Sequence, residues 1–163
     1  MHGMIIDWIG HNADNQPDNI AMTEFPSGRT QTYGQMYDRV GRVAAWLQSL
    51  GVREGDRVGV LAPNSSDTMD ILFATWRLGA VHLALNFRLT AGELDYIIGN
   101  AEPDVLIYDQ ELQDTVDALT VPISHVVETT GVGDESAFEA AIADQAPINE
   151  MVELMPDDQC MLM

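Results

Sequence analysis

Short apolar runs alternate with amphipathic stretches along this chain, a pattern that predicts an α/β fold: a mostly parallel sheet flanked by helices on both faces. Behind Thr32 and Gln35, which form a capping box, Met36, Val40, Val43, Ala44, Leu47 and Leu50 recur at helical spacing, and Gly51 is the natural stop. The polar turn Arg53-Glu54-Gly55-Asp56 leads into a buried strand over Val58–Ala62. Pro63-Asn64-Ser65 breaks it, and Ser65 or Ser66 caps a helix running to Leu78. Val81–Leu85 is the next strand, Ala91–Asn100 a helix opened by Thr90 with Glu93 three residues on, and Val105–Tyr108 another strand. The alternation continues with a helix near Gln110–Leu119, a strand near Ser124–Val127 and a helix near Ser136–Asp144. Ahead of these, a helix over Ile5–Asn15 stops before Pro17, and Ile20–Phe25 faces Arg29–Thr32 across a Pro26-Ser27-Gly28 turn as a hairpin. The βαβ units should cross over right-handedly. The acid- and Pro-rich Ala146–Asp158 gives way to Cys160-Met161-Leu162-Met163, a minimal strand with no helix after it, so the fold reads as one truncated at its last strand.

The 163 residues suit one domain. A single cysteine, Cys160, makes no internal disulfide and anchors no metal cluster, so no metal site is expected. No apolar run reaches the 18 or so residues of a bilayer span, and the amino terminus has no basic-then-apolar leader, so a cytoplasmic protein is the expectation. Charge changes the picture more. All seven basic residues are Arg; residues 1–88 hold these and nine acids, whereas residues 89–163 hold seventeen acids and no Lys or Arg. Such a surface repels nucleic acid and anionic lipid, whose binding depends on neutralising phosphate. It reads as a device for solubility or salty surroundings, with a docking face for a basic partner as the second reading.

Four segments carry a resemblance. Thr32-Tyr33-Gly34-Gln35-Met36 is similar to the first core motif of the adenylate-forming enzymes: acyl-CoA synthetases, firefly luciferases and peptide-synthetase adenylation domains. Leu50-Gly51-Val52 with Gly55-Asp56-Arg57-Val58, and Pro63-Asn64-Ser65, are similar to that family's strand-entry segment. Leu78-Gly79-Ala80-Val81 through Asn86 resembles its second core motif, with His82 where an aromatic is common and Ala84 where Pro is common. The Asn86-Phe87-Arg88-Leu89-Thr90 turn leans toward the acyl-CoA synthetase (fatty-acid–CoA ligase) branch. The resemblance implies a ligase that uses ATP with Mg to convert a carboxylic acid, of the fatty-acid class, to an acyl-adenylate, which the CoA thiol then turns into a thioester. It also implies that the family's Gly-rich ATP-binding loop would begin where this chain stops. Its essential late Lys has no counterpart in a chain with no Lys at all. The chain therefore reads as an amino-terminal subdomain, inactive alone and holding no catalytic residue. The alternative is a stand-alone binding or oligomerisation module on the same fold.

Arg88 is the residue the resemblance marks, as a contact for the CoA 3′-phosphate; its other reading is a structural pair with Glu93. Guanidinium offers a planar fork for phosphate just ahead of a helix amino terminus. Thr32 reads as a helix cap and Tyr33 as a buried ring whose hydroxyl finds a partner. Asn86 should satisfy turn backbone, and His82 should be a hydrogen-bonded core residue. Gly131-Val132-Gly133 lacks the third Gly of a dinucleotide loop, with Ser136 in its place. Trp8, Trp46 and Trp76 read as core, and Met151, Met155, Met161 and Met163 as residues that pack against the rest of an enzyme. An uncovered sheet edge implies that the piece would self-associate.

Overall fold

In a computed structural model, residues 7–25, 27–133 and 135–163 are described. Two antiparallel strands, β1 (Ile20–Thr23) and β2 (Thr30–Thr32), form the expected hairpin, with an irregular register between Ile20 and Met22. Five parallel strands form the main sheet in the order β6-β5-β3-β4-β7: β3 (Arg57–Leu61), β4 (Val81–Leu85), β5 (Val105–Asp109), β6 (His125–Thr129) and β7 (Met161–Leu162). The helices are α1 (Trp8–Asn15), α2 (Tyr33–Ser49), α3 (Ser66–Arg77), α4 (Ala91–Ala101), α5 (Gln113–Asp117) and α6 (Ala137–Ala143).

Local chemistry explains the helix starts. Thr32 with Gln35, Ser65 with Thr68 and Thr90 with Glu93 each close a reciprocal capping box, and Asp7 and Ser136 cap α1 and α6. Between α3 and β4 the chain reverses at Gly79, whose φ is +69°; a Cβ there would lie 2.9 Å from Val152 Cγ2. Two expectations shift. The helix over Gln110–Leu119 is a 3₁₀ turn (Gln110–Leu112) followed by the short α5, because Asp109 bonds Glu111 N and starts a tighter turn. β6 runs on to Thr129, paired to the end with Asp109. Ile5 and Ile6 of the first helix lie outside the described residues, as does Pro26 of the hairpin turn.

Period-two alternation splits the sheet between two cores. Val58, Val60, Val105 and Ile107 face α2, α3 and α6, where Val40, Val43, Leu47, Ile71 and Phe138 are fully buried. Leu61, Leu83, Leu85, Leu106 and Tyr108 face Leu94 and Ile98 of α4. Both faces are covered, as parallel strands demand. Trp46 meets Phe138 edge-on with ring centres 5.6 Å apart. Trp8 corrects the core reading: it is 65% exposed, because α1 buries the other face, through Ile9 and Gly10.

The irregular segment after α6 is a strap. Ile148 N donates to Gly41 O at 3.0 Å, Tyr37 Oη to Asn149 O at 3.0 Å, Val152 N to Arg77 O at 3.0 Å and Trp76 Nε1 to Cys160 O at 2.9 Å. Arg77 anchors it. Its buried guanidinium donates to Ile148 O and Asp7 Oδ2 and stacks 4.5 Å over the Tyr37 ring. The strap delivers β7 to β4, pairing Met161 with His82 and Leu162 with Leu83.

A buried ionic network ties the hairpin to the helices. Asp67, with no exposure, accepts from Arg29 at 2.7 Å, Arg39 at 2.8 Å and Thr129 at 2.8 Å. Arg39 also reaches Asp70 at 2.7 Å and Glu139 at 2.9 Å. Burial works against the Asp67 charge, but its hydrogen bond from Arg29 and the charge of Arg39 outweigh that and hold its carboxyl below the usual range. Asp70 differs. Arg39 and Gln31 both donate to its Oδ2, while its Oδ1 and Gln31 Oε1 are buried without a partner. Burial therefore prevails and pushes Asp70 up to about 6.

A carboxyl raised in the folded state contributes stability that is full below its unfolded value and lost as pH rises through its folded value. Asp70→Asn keeps the acceptor and places a donor where Oδ1 has none. We expect urea denaturation to show Asp70→Asn faring better relative to the parent at pH 7.5 than at pH 5, since only the parent gains by taking up a proton. Asp70→Ala should lose roughly 1–3 kcal/mol, because it leaves Arg39 Nε and Gln31 Nε2 without the acceptor they share. Parallel pH dependence of parent and Asp70→Asn would contradict this.

Candidate functional site

Strand β4 ends at Leu85, and the next five residues form a turn braced on both sides. Asn86 Oδ1 accepts from Arg88 N at 3.1 Å and Asn86 O accepts from Leu89 N at 3.1 Å, so Asn86 satisfies the turn as expected. Thr90 then opens α4. Glu93 accepts from both Thr90 N and Thr90 Oγ1 at 2.8 Å, and the backbone donor chiefly holds its carboxyl below the usual range. The Glu93 carboxylate is thus committed to the cap, and no ion pair joins it to Arg88.

Arg88 is exposed, and its guanidinium makes no hydrogen bond or ion pair among the described residues. Five other arginines use theirs: Arg29, Arg39 and Arg42 on carboxylates, Arg57 on the carbonyls of Ala101 and Glu102, and Arg77 on the strap. Arg88 lies on the wall of an open cavity of about 580 Å³ at the carboxyl ends of β3 and β4, shared with Pro63, Asn64, Thr68, His82 and Phe87. A smaller space of about 330 Å³ lies on the α4 side, lined by Leu83, Leu89, Tyr96, Ile97 and Leu162. Carboxyl ends of parallel strands are where open α/β sheets take ligands.

His82 is core, with 5% exposure, but it is not hydrogen-bonded as expected: its Nδ1 is buried without a partner. Backbone pairing with Cys160 fixes its position in the strand, and no neighbouring side chain reaches the ring nitrogen. Burial pushes it down to about 4, so it is neutral at pH 7. Thr32 is the helix cap predicted, and the Tyr33 ring packs partly on the main core. The Tyr33 ring is half-buried, and its hydroxyl makes no hydrogen bond among the described residues.

Gly131-Val132-Gly133 holds the hairpin in place. Gly131 O lies 3.5 Å from Asp67 N, and a Cβ on Gly133 would fall 2.5 Å from Arg29 Cζ. The loop lies flat on a guanidinium that the ionic network already uses. Of the four methionines near the carboxyl end, Met155 and Met163 are exposed and Met151 and Met161 half-buried. Among the described residues no cluster of His, Cys, Asp and Glu could hold a metal ion, and no helix is long and apolar enough to cross a membrane. The sequence reading missed the Arg29–Arg39–Asp67–Asp70 network; its only trace was acids at 67 and 70 on the buried side of a helix.

Residues 9–163 match the family model described as "AMP-binding enzyme". A feruloyl-CoA synthase from Amycolatopsis sp is 38% identical over 156 residues, covering 96% of this chain and 29% of its own. A 3-oxocholest-4-en-26-oate–CoA ligase from Rhodococcus rhodochrous is 28% identical over 165 residues, covering 94% and 29%. Among solved structures, the anthranilate CoA ligase AuaEII in complex with anthranoyl-AMP aligns with a TM-score of 0.86 at 26% identity, over 99% of this chain and 31% of that one. The N-terminal domain of FACL13 from Mycobacterium tuberculosis aligns at 0.84 and 27%, over 95% and 41%. The chain spans about three tenths of the length of these curated relatives.

A base whose folded value is depressed contributes stability that is present above its unfolded value and lost as pH falls. His82→Leu should therefore leave stability at pH 7 unchanged or higher, by roughly 1 kcal/mol, since it removes an unpaired buried polar atom. It should also blunt the loss between about pH 6.5 and about 4, read by thermal melting across that window. A large destabilisation at pH 7 would show that the imidazole has a partner.

Proposed function

The chain belongs to the AMP-binding enzyme family, and we propose that it is the amino-terminal subdomain of an ATP-dependent carboxylic acid–CoA ligase. The observation that carries this reading is Arg88: a guanidinium without a protein acceptor among the described residues, at the carboxyl edge of a parallel sheet and beside an open cavity. In the ligase reading the parent protein makes an acyl-adenylate from ATP and an acid, then transfers the acyl group to CoA. Feruloyl, steroid-acid and anthranilate ligases among the relatives support an acid–CoA ligase while leaving the acid open.

Arg88 contributes recognition. Its planar N–H fork suits the 3′-phosphate of CoA, and with Glu93 withdrawn into the helix cap its charge is not neutralised locally. Phosphate chemistry on ATP needs backbone amides and cations aimed at developing charge. We assign no residue of this chain to ATP or magnesium. A polypeptide with no Lys also lacks the late catalytic Lys that the family resemblance calls for.

Residues 1–163 alone should show no ATP–pyrophosphate exchange, whereas the complete ligase should exchange with at least one acid in a panel of fatty, aromatic and steroid carboxylates. In that ligase Arg88→Ala should raise the KM for CoA roughly ten-fold, an interaction of charge-assisted hydrogen-bond strength. Acyl-AMP formation by the 163-residue chain, or an unaltered KM for CoA, would refute the corresponding part.

A further inference from the structure

Three arginines in this protein stack on aromatic rings, and they differ in what their edges do. Arg77 lies 4.5 Å over Tyr37, but its N–H groups are taken by Ile148 O and Asp7. Arg39 lies 5.6 Å from the Phe138 ring, with its N–H groups on Asp67, Asp70 and Glu139. Arg88 lies 4.6 Å over the ring of Phe87 and gives its N–H groups to no residue described. The first two stacks are structural. The third leaves a held cation with its in-plane donors free.

We propose that Phe87 is a positioning residue for Arg88, an aromatic shelf that holds the guanidinium over its ring so that the free N–H groups present to a phosphate monoester. The proposal rests on the reading of Arg88 as the CoA phosphate contact. Phe87 itself is not free to move. It is partly buried and packs against the second core, which contains Leu83, Leu85 and Leu94. The backbone on either side is also held, by the Asn86 side chain bonding Arg88 N and by the capped start of α4 two residues later.

The physics favours such a shelf here. An exposed Arg loses rotamer freedom when it is fixed on a ligand. A ring beneath it removes part of that freedom before the ligand arrives and, having no acceptor, takes up none of the in-plane N–H donors. The surrounding charge makes this more valuable. Residues 89–163 carry seventeen acids and no Lys or Arg, so the local potential opposes an anionic ligand. A cation in contact with the ligand acts unscreened, whereas acids more than a Debye length away are largely screened. Arg53, the other arginine with no side-chain bond described, has no ring beneath it and lies in the turn at the opposite end of β3.

The test compares KM for CoA with KM for 3′-dephospho-CoA in the complete ligase, for the parent, Arg88→Ala, Phe87→Met and Phe87→Tyr. Methionine keeps the apolar packing without the ring, and thermal melts report the fold. The parent should prefer CoA, and Arg88→Ala should abolish the preference. Phe87→Met should reduce it roughly two- to five-fold, the scale of an exposed cation–π contact, and Phe87→Tyr should restore it. Should Phe87→Met keep the full preference, or weaken both thiols equally, the shelf is refuted while the Arg88 reading stands. Should Arg88→Ala keep the preference, the phosphate reading beneath it falls.

Discussion

Asp67, with no exposed surface, accepts hydrogen bonds from residues 28, 38 and 62 positions away in the chain. Removing a carboxylate from water is costly unless donors meet its oxygens, so this one residue dictates where α2, the β1–β2 hairpin and the end of β6 must lie. Its place in the first turn of α3 adds the favourable helix dipole. The Gly131–Gly133 loop then closes over the Arg29 side. Such a network adds little net stability against an apolar replacement, but losing one partner leaves a charge stranded. Its contribution is to specify a single arrangement around the carboxyl edge of the sheet.

That arrangement matters because the same edge carries the candidate site. Five of seven arginines are consumed in holding helices, hairpin, sheet and strap together. In a chain of net charge -19 an uncommitted guanidinium beside a cavity is conspicuous. The Asn86–Thr90 turn is stiffened by its own hydrogen bonds, not by ion pairing, which leaves the positive charge available. Rigid backbone and unspent charge together suit recognition better than either would alone. The strap serves the same end from the other side, since it delivers β7 against β4 next to His82 and the cavity.

What could be read in advance was local. Capping boxes at Thr32 and Thr90 follow from side chains three residues apart, and the β4 boundaries from an apolar run between Gly79 and Asn86. Asn86 was legible for the same reason, because its partner is two residues on. Trp8 was not: the burial of an amphipathic helix depends on which face meets the neighbour, and α1 turns Ile9 inward instead. His82 was half legible. Its place in an apolar strand implied burial, but whether its ring nitrogen found a donor or acceptor depended on residues from other elements.

The order of helices and strands, the two-faced sheet and the family were set by the sequence alone, because propensity, capping and period-two or helical spacing act over a few residues. Tertiary structure decided which charges are committed. Arg29, Arg39 and Arg77 look no different in sequence from Arg88, yet their partners lie up to 100 positions away and only folding brings them within reach. Electrostatic pairing in a protein is set by distance in space, and a single chain of letters does not carry that distance.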